Sequence, residues 1–149
     1  MTSNYLLFRI AARLFGVKLQ GAIEIMAWQR SRAVPLSYSY IEGVMEYRGV
    51  IYPVFHLAQL LGFSQPGPIG FTAPQDPGPV KGRSIILLQE GDKSFGITVD
   101  SVVKMLPLED VSAPAADVKG INTKLVRGIR FDDDQEIILL SFERLFHAG

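Results

Sequence analysis

Histidine is the residue type in this sequence best suited to acid–base or metal chemistry, because the chain of 149 residues contains no cysteine. Thiol nucleophiles, thiolate-bound metals and disulfides are therefore excluded. Of the two histidines, His147 stands close to the end of the sequence, which leaves His56 as the candidate base or ligand. His56 falls where a strand is predicted to pass into a helix, and the favoured interpretation is a half-buried polar residue.

Three consecutive aspartates, Asp132, Asp133 and Asp134, could suggest a cation site. They lack the Asp-x-Asp-x-Asp-Gly spacing and the later glutamate of a calcium loop, so a charged hairpin turn is predicted. No dinucleotide-binding, phosphate-binding or serine-hydrolase glycine motif occurs in the chain. We therefore expect no enzymatic activity and no cofactor.

An aromatic-rich neighbourhood, with Trp28, Tyr38 and Tyr40, lies near Arg30 and Arg32 and could stack on single-stranded nucleic acid. Against that function, 15 basic residues balance 15 acidic ones, so a core or protein-interface role is favoured and no nucleic-acid partner is expected. No apolar run approaches the roughly 18 residues that a membrane-spanning helix needs. We expect a cytoplasmic protein without direct membrane insertion.

Period-two alternation of apolar residues dominates the sequence and predicts an all-β fold. Strands are predicted over residues 6–10, 15–19, 22–28, 41–47, 50–55, 84–89, 93–103, 125–131 and 135–140, with short helices over 56–62 and 141–147. Pro53 cannot donate to a β-ladder and is expected at a sheet edge or a bulge. Residues 64–80 contain five of the nine prolines and are predicted to form a loop.

The two halves of the sequence repeat each other. Gly43, Val54 and Leu60 recur 85 positions later as Gly128, Leu139 and Leu145, and Phe15-Gly16-Val17 recurs 80 positions later as Phe95-Gly96-Ile97. One unit holds about five short strands and a helical turn, enough for a small barrel but too little for two stacked sheets. We expect a single domain, 1–149, made of two barrel subdomains, about 1–63 with parts of the C-terminal segment and about 81–149, joined by the Pro/Gly-rich loop 64–80.

Four segments carry a family resemblance: Tyr5-Leu-Leu-Phe-Arg, Phe15-Gly-Val, Ala22-Ile-Glu-Ile, and the block from Ile41 to Leu57. In order and spacing they resemble the CheW-like domain of bacterial chemotaxis adaptors, and Phe95-Gly-Ile-Thr-Val-Asp-Ser-Val resembles its second half. The most specific block begins at Gly43. The resemblance implies two pseudo-symmetric five-stranded SH3-like barrels with short terminal helices.

The resemblance also implies a function, that of a non-catalytic adaptor which couples the cytoplasmic tip of chemoreceptors to the regulatory domain of a CheA-type histidine kinase. Arg48 and Gly43 match family positions in the block associated with receptor coupling. Ala22 and Glu24 match positions in a strand associated with partner binding. These four residues are the predicted protein-interaction site. An arginine at a strand turn can present its guanidinium group to carbonyl or carboxylate oxygens of a helical tip.

Three positions depart from the family pattern: Glu46 replaces an asparagine, Tyr47 a leucine and His56 an aspartate. The departures favour a specialised partner, and we expect service in an auxiliary array that governs surface motility or gene expression. Two alternatives stay open. The chain could be a sensory domain that binds a small molecule in the groove between the barrels, or an enzyme that uses His56 with a nearby carboxylate.

Overall fold

The structure is a computed structural model that describes residues 1–33, 40–62, 83–110 and 123–146. Within these ranges the strands are β1 (Thr2–Ile10), β2 (Arg13–Lys18), β3 (Ala22–Ala27), β4 (Ile41–Tyr47), β5 (Val50–His56), β6 (Ser84–Glu90), β7 (Lys93–Val99), β8 (Ser101–Glu109), β9 (Val126–Asp132) and β10 (Gln135–Leu140). Two one-turn helices, α1 (Leu57–Leu60) and α2 (Glu143–Phe146), follow β5 and β10. The predicted all-β class is confirmed. Tyr38, His147 and the predicted loop 64–80 lie outside the described residues.

The strands form two five-stranded sheets. The first sheet has the order β8-β1-β2-β10-β9, and the second has the order β3-β6-β7-β5-β4. Each sheet combines two strands from one sequence repeat with three from the other. Strands β3 to β5 of the first repeat pair with β6 and β7, and strands β8 to β10 of the second repeat pair with β1 and β2. The expected division assigned about 1–63 with parts of the C-terminal segment to one barrel and about 81–149 to the other. In the structure the second sheet is built from segments between residues 22 and 99.

The strand pairings follow the sequence repeat. β10 lies parallel to β2 and β5 lies parallel to β7, with Gly16 and Gly96 in the paired segments. Residues related by the offset of 80 or 85 positions, which we call pseudo-equivalent, thus occupy matching places in the two sheets. A Cβ would lie 2.9 Å from Leu7 Cδ2 at Gly16 and 3.1 Å from Leu87 Cδ2 at Gly96. A side chain at either glycine would therefore crowd the core beneath it.

Both faces of β1 are buried, because its side chains alternate between two apolar clusters. Leu6 and Phe8 face a core shared by the two sheets, while Tyr5 and Leu7 face a smaller cluster within the first sheet. The second sheet has a matching inner cluster, which contains Met45, Tyr52, Val54, Ile85 and Leu87. The molecule therefore has one shared core flanked by an inner core in each barrel.

The outer strands of each curled sheet are joined by local contacts rather than by a continuous ladder. In the first sheet the Arg130 guanidinium on β9 donates to the carbonyl oxygens of Glu109 and Asp110, both at 3.0 Å. In the second, Arg32, beyond the end of β3, exchanges two backbone hydrogen bonds of 2.8 Å with Val44 on β4. The fold is thus the expected pair of five-stranded SH3-like barrels, each left open along one seam.

The single strand predicted over 93–103 is wrong. The predicted strand is interrupted at Asp100, where the chain passes from β7 in the second sheet to β8 in the first. The backbone N–H of Asp100 donates to the carbonyl oxygen of Arg9 at 3.0 Å, and its carboxylate accepts from the N–H of Ala11 at 2.9 Å. These bonds tie the crossing point to the β1–β2 hairpin.

The placement of Pro53 at an edge or a bulge is also wrong. Pro53 lies in β5, an inner strand between β7 and β4, and the bulge of β4 falls between Ile41 and Gly43. The proline is tolerated because the pairing of β5 with β7 starts only at Val54. On that side the missing N–H therefore removes no ladder bond.

Candidate protein-interaction site

The hairpin between β4 and β5 carries Arg48 at its tip. Tyr47 pairs with Val50, which leaves Arg48 and Gly49 as a two-residue turn. Both turn residues have positive φ, 52° and 79°, as a type I′ turn requires. Left-handed backbone costs a residue with a β-carbon about 1–2 kcal/mol, and asparagine, aspartate or glycine is preferred there. The sequence keeps an exposed cation at this position despite that cost.

Arg48 lies over the ring of Tyr47, with its Cζ 5.2 Å from the ring centroid, a cation–π distance. The Tyr47 hydroxyl donates a 2.8 Å hydrogen bond to Oε2 of Glu24 on β3. The side chains of Glu24, Tyr47 and Arg48, which we call the hairpin unit, therefore join β3 to the tip of the hairpin. Tyr47 also packs against the inner cluster of the second sheet, which fixes the base of the unit.

The hairpin unit keeps one negative and one positive charge at neutral pH. The hydrogen bond from Tyr47 lowers the pKa of Glu24, and the backbone N–H of Ile25, which donates to Oε1 at 3.2 Å, lowers it further. The same bond from the hydroxyl raises the pKa of Tyr47, because the carboxylate holds the phenolic proton. The unit thus offers a guanidinium group with five N–H donors beside an ionised carboxylate.

The structure brings Glu24 and Arg48 together but places the other two predicted residues in supporting positions. Gly43 is buried, and a Cβ there would lie 2.2 Å from the carbonyl oxygen of Arg32. The glycine lets the Arg32 backbone approach β4, so it positions the hairpin and offers no side chain to a partner. Ala22 opens β3 and is half-buried against the shared core.

Tyr47 is the member of the hairpin unit that sequence reasoning missed. The sequence shows it as a departure from the family's leucine, beside the predicted arginine. Its hydroxyl meets Glu24 across the seam between β3 and β4, which are the two outer strands of the second sheet. Strand assignment alone does not bring outer strands together, whereas the curl of the sheet does.

Exposed apolar side chains on β5 and β3 flank the hairpin unit. Val50 and Ile51, the first residues of β5, are 46% and 65% exposed, and Ile23, next to Glu24 on β3, is 41% exposed. Glu46 is exposed as well and pairs with Ile51. Exposed apolar area beside a fixed charge pair is typical of a surface that contacts another protein.

His56 and the aspartate run lie away from the hairpin unit. His56 ends β5, at the opposite end of that strand from Arg48, and burial followed by the nearby Arg83 lowers its pKa. Asp133 and Asp134 form the predicted hairpin turn, with φ of 48° and 66°. Within the described ranges, no group of three histidine, aspartate or glutamate side chains is placed to hold a metal ion, and no helix is long and apolar enough to cross a membrane.

Comparison with known proteins gives a match along nearly the whole chain. A family model described as the CheW-like domain matches residues 4–149. The chain belongs to the CheW-like family. The CheW-like match spans both sheets and contains the hairpin unit, so the resemblance expected from the sequence is confirmed.

Named relatives and a solved structure agree with the CheW-like assignment. The chain is 31% identical over 141 residues to a probable chemotaxis protein CheW from Rhizobium etli, covering 93% of this chain and 84% of the relative. It is 24% identical over 143 residues to a chemotaxis protein CheW from Treponema pallidum, covering 95% and 80% respectively. The crystal structure of the scaffolding protein TtCheW from Thermoanaerobacter tengcongensis is similar with a TM-score of 0.81 and 26% identity, covering 100% of this chain and 95% of that one.

Proposed function

We propose that this chain is a non-catalytic adaptor that couples chemoreceptors to a CheA-type histidine kinase in bacterial chemosensory signalling. Membership of the CheW-like family supports the role, since relatives are named chemotaxis proteins and one similar structure is that of a scaffolding protein. The kinase regulatory domain and the cytoplasmic receptor tip are the two partners. The proposed location is the cytoplasm, and neither a cofactor nor a reaction belongs to the role.

The hairpin unit is the observation that carries the proposal. Its guanidinium group is exposed yet held by the ring of Tyr47, which in turn is bonded to Glu24. A group that is already ordered loses little conformational entropy on binding. Arg48 is therefore suited to donate to the backbone carbonyls or carboxylates of a helical receptor tip, with Gly43 and Ala22 holding the strands beneath it.

A coupling protein needs two contact surfaces, and the two barrels end in chemically different hairpins. Asp133 is pseudo-equivalent to Arg48, so one hairpin tip is acidic and the other basic. Near the acidic tip, Phe131 is 66% exposed, and Met105 on the facing outer strand of the same sheet is 58% exposed. Opposite charges at matching positions favour different partners at the two ends.

The finer proposal is that the adaptor serves an auxiliary array governing surface motility or gene expression. Its support is the position of Tyr47, a departure from the family pattern that lies inside the hairpin unit. Deleting the gene in the source organism should impair surface motility or a regulated set of transcripts while swimming chemotaxis persists. Loss of swimming chemotaxis with intact surface motility would contradict the auxiliary role and leave the adaptor role standing.

Co-purification from the native cytoplasm tests the adaptor role. The tagged chain should retain a histidine kinase and a chemoreceptor, and Arg48→Asp should weaken receptor-dependent control of the kinase without unfolding the barrel, because the residue sits at an exposed turn. Asp133→Arg, at the pseudo-equivalent turn that faces the other partner, is the matched charge reversal and should leave binding of the receptor itself unchanged. Unchanged ternary assembly in Arg48→Asp would remove Arg48 from the site, and absence of any histidine kinase would contradict the role itself.

A further inference from the structure

A cleft of about 510 Å³ opens between the two sheets, on a side formed by the ends of β2, β6 and β10. Its wall consists of buried apolar side chains from both sheets: Val17, Leu88, Phe95, Leu139, Leu140 and Phe142. Charged side chains line it as well, with Lys18 and Arg127 as cations and Glu90 and Glu143 as anions. A cleft of this volume that combines an apolar wall with polar and charged side chains can hold a small molecule.

The sequence repeat shows what is unusual about the two cations. Thr98 is pseudo-equivalent to Lys18, and Glu42 is pseudo-equivalent to Arg127. At that matching place in the other half of the molecule, the Thr98 hydroxyl donates directly to the Glu42 carboxylate, so the two positions are joined. In the cleft the same two positions carry like charges, which repel each other and cannot form such a bond. An anion placed between Lys18 and Arg127 could accept hydrogen bonds from both and so connect the two positions.

Among the described residues, the carboxylates that face the two cations hold them only loosely. Arg127 Nη1 lies 3.7 Å from Glu143 Oε2, and Lys18 Nζ lies 4.0 Å from Asp110 Oδ1, both longer than a hydrogen bond. Asp110 is engaged elsewhere, since the hydroxyls of Ser3 and Tyr5 each donate to it at 3.0 Å. The donors of both cations therefore retain capacity for another acceptor.

Glu143 marks where that acceptor would sit. Its side chain is 64% exposed and approaches Arg127 from α2, so it can swing into solvent without disturbing the core. Its carboxylate is the chemical equivalent of a bound carboxylate at the same guanidinium. The apolar wall lies in the same cleft and would bury the body of such a molecule. Its Phe95 and Phe142 rings pack edge to face, with their centroids 5.2 Å apart.

We propose that the cleft binds a small organic carboxylate with an apolar body. The carboxylate lies between Lys18 and Arg127 and displaces Glu143, while the apolar body rests against Phe95 and Phe142. Charge-assisted hydrogen bonds orient the ligand, and burial of the apolar body supplies affinity. The site is separate from the hairpin unit and does not depend on the proposed adaptor role.

Calorimetric titration of the full chain with three probes tests the inference. 4-Phenylbutyrate carries both features, its neutral amide 4-phenylbutyramide carries only the apolar body, and acetate carries only the charge. We expect 4-phenylbutyrate to bind about tenfold more tightly than either of the others. Equal affinity for the acid and the amide, or no heat of binding for 4-phenylbutyrate at millimolar concentration, would overturn the proposal.

Two variants with opposite expected effects make the test independent of folding. Arg127→Met should weaken 4-phenylbutyrate binding about tenfold, because one of the two cations is lost. Glu143→Gln should strengthen binding several-fold, since it removes the competing carboxylate. Lys104→Met, a cation on β8 outside the cleft lining, is the control and should leave the affinity unchanged. Weaker binding in Glu143→Gln, or unchanged binding in Arg127→Met, contradicts the assigned site.

Discussion

The seams of the two barrels are held at pseudo-equivalent positions by different side chains. In the second sheet Glu24 accepts a hydrogen bond from Tyr47. In the first sheet Lys104, 80 positions after Glu24, donates to Asp132, 85 positions after Tyr47, at 3.3 Å. The duplicated backbone thus places a polar contact at each seam, and the side chains that make it have diverged.

The divergence continues at the hairpin tips, where the backbones match and the charges do not. Arg48 and Asp133 both begin two-residue turns with positive φ, at 52° and 48°. The comparison teaches that the repeated unit supplies two ends of the same shape, while single side chains make one end basic and the other acidic. That difference would allow the two ends to bind different partners, as the proposed adaptor role needs.

The largest effect on stability is expected at Gly43, where the backbone of the β4–β5 hairpin lies closest to another segment. Gly43→Ala would bring a Cβ within 2.2 Å of the Arg32 carbonyl oxygen, so we expect a loss of roughly 3 kcal/mol or more in the free energy of unfolding. Gly49→Ala, with positive φ but no atom within 4 Å, should cost only about 1 kcal/mol. Urea denaturation of both variants checks the order, and an equal loss would show that the Arg32 approach is not rigid.

A second difference lies at the strand-to-helix junctions, where His56 is pseudo-equivalent to Ser141. Burial lowers the pKa of His56, so the folded chain takes up a proton less readily than the unfolded chain. Its contribution to stability is complete above the ordinary histidine pKa and is lost as pH falls through that value toward the folded pKa. His56→Ser should therefore flatten the fall in stability between about pH 7.5 and pH 5.5. An unchanged slope in urea titrations across that range would contradict the burial of the imidazole.

The smallest effect is expected at the seam of the first sheet. Asp132→Asn removes the ion pair between Asp132, whose side chain is 33% exposed, and Lys104, whose side chain is 51% exposed. The substitution should cost about 0.5 kcal/mol of stability at low salt. The loss should shrink as salt rises, because exposed ion pairs are screened. Tyr47→Phe removes a bond to a neutral hydroxyl and should respond to salt less. Identical salt dependence in the two variants would show that the seams do not differ electrostatically.

Much of the fold could be predicted from local patterns. Alternating apolar residues located the strands, and the offsets that relate Phe15 to Phe95 and Gly43 to Gly128 revealed the duplication. A contribution of the C-terminal segment to the first barrel was predicted, but the placement of β3 to β5 in the second sheet was not, because pairing partners far apart in sequence leave no periodic signal. The break at Asp100 was missed for the same reason, since its bonds reach back to the β1–β2 hairpin.

The candidate site was predicted in part. Glu24 and Arg48 were named from the family resemblance, and the structure brings them to one place through Tyr47. Sequence could not show that link, because it crosses the seam between two outer strands of a curled sheet. The burial of Gly43 was equally hidden, since a glycine in an alternating strand pattern gives no sign of which backbone approaches it.

Binding of the receptor tip to the two turn variants tests the central claim most directly. The cytoplasmic tip of the receptor that co-purifies with the chain would be titrated into Arg48→Asp and Asp133→Arg, with circular dichroism confirming that both remain folded. The account predicts that Arg48→Asp weakens binding about tenfold or more and that Asp133→Arg leaves it unchanged. Equal losses in the two variants, or full affinity in Arg48→Asp, would contradict the assignment of the receptor to the basic hairpin.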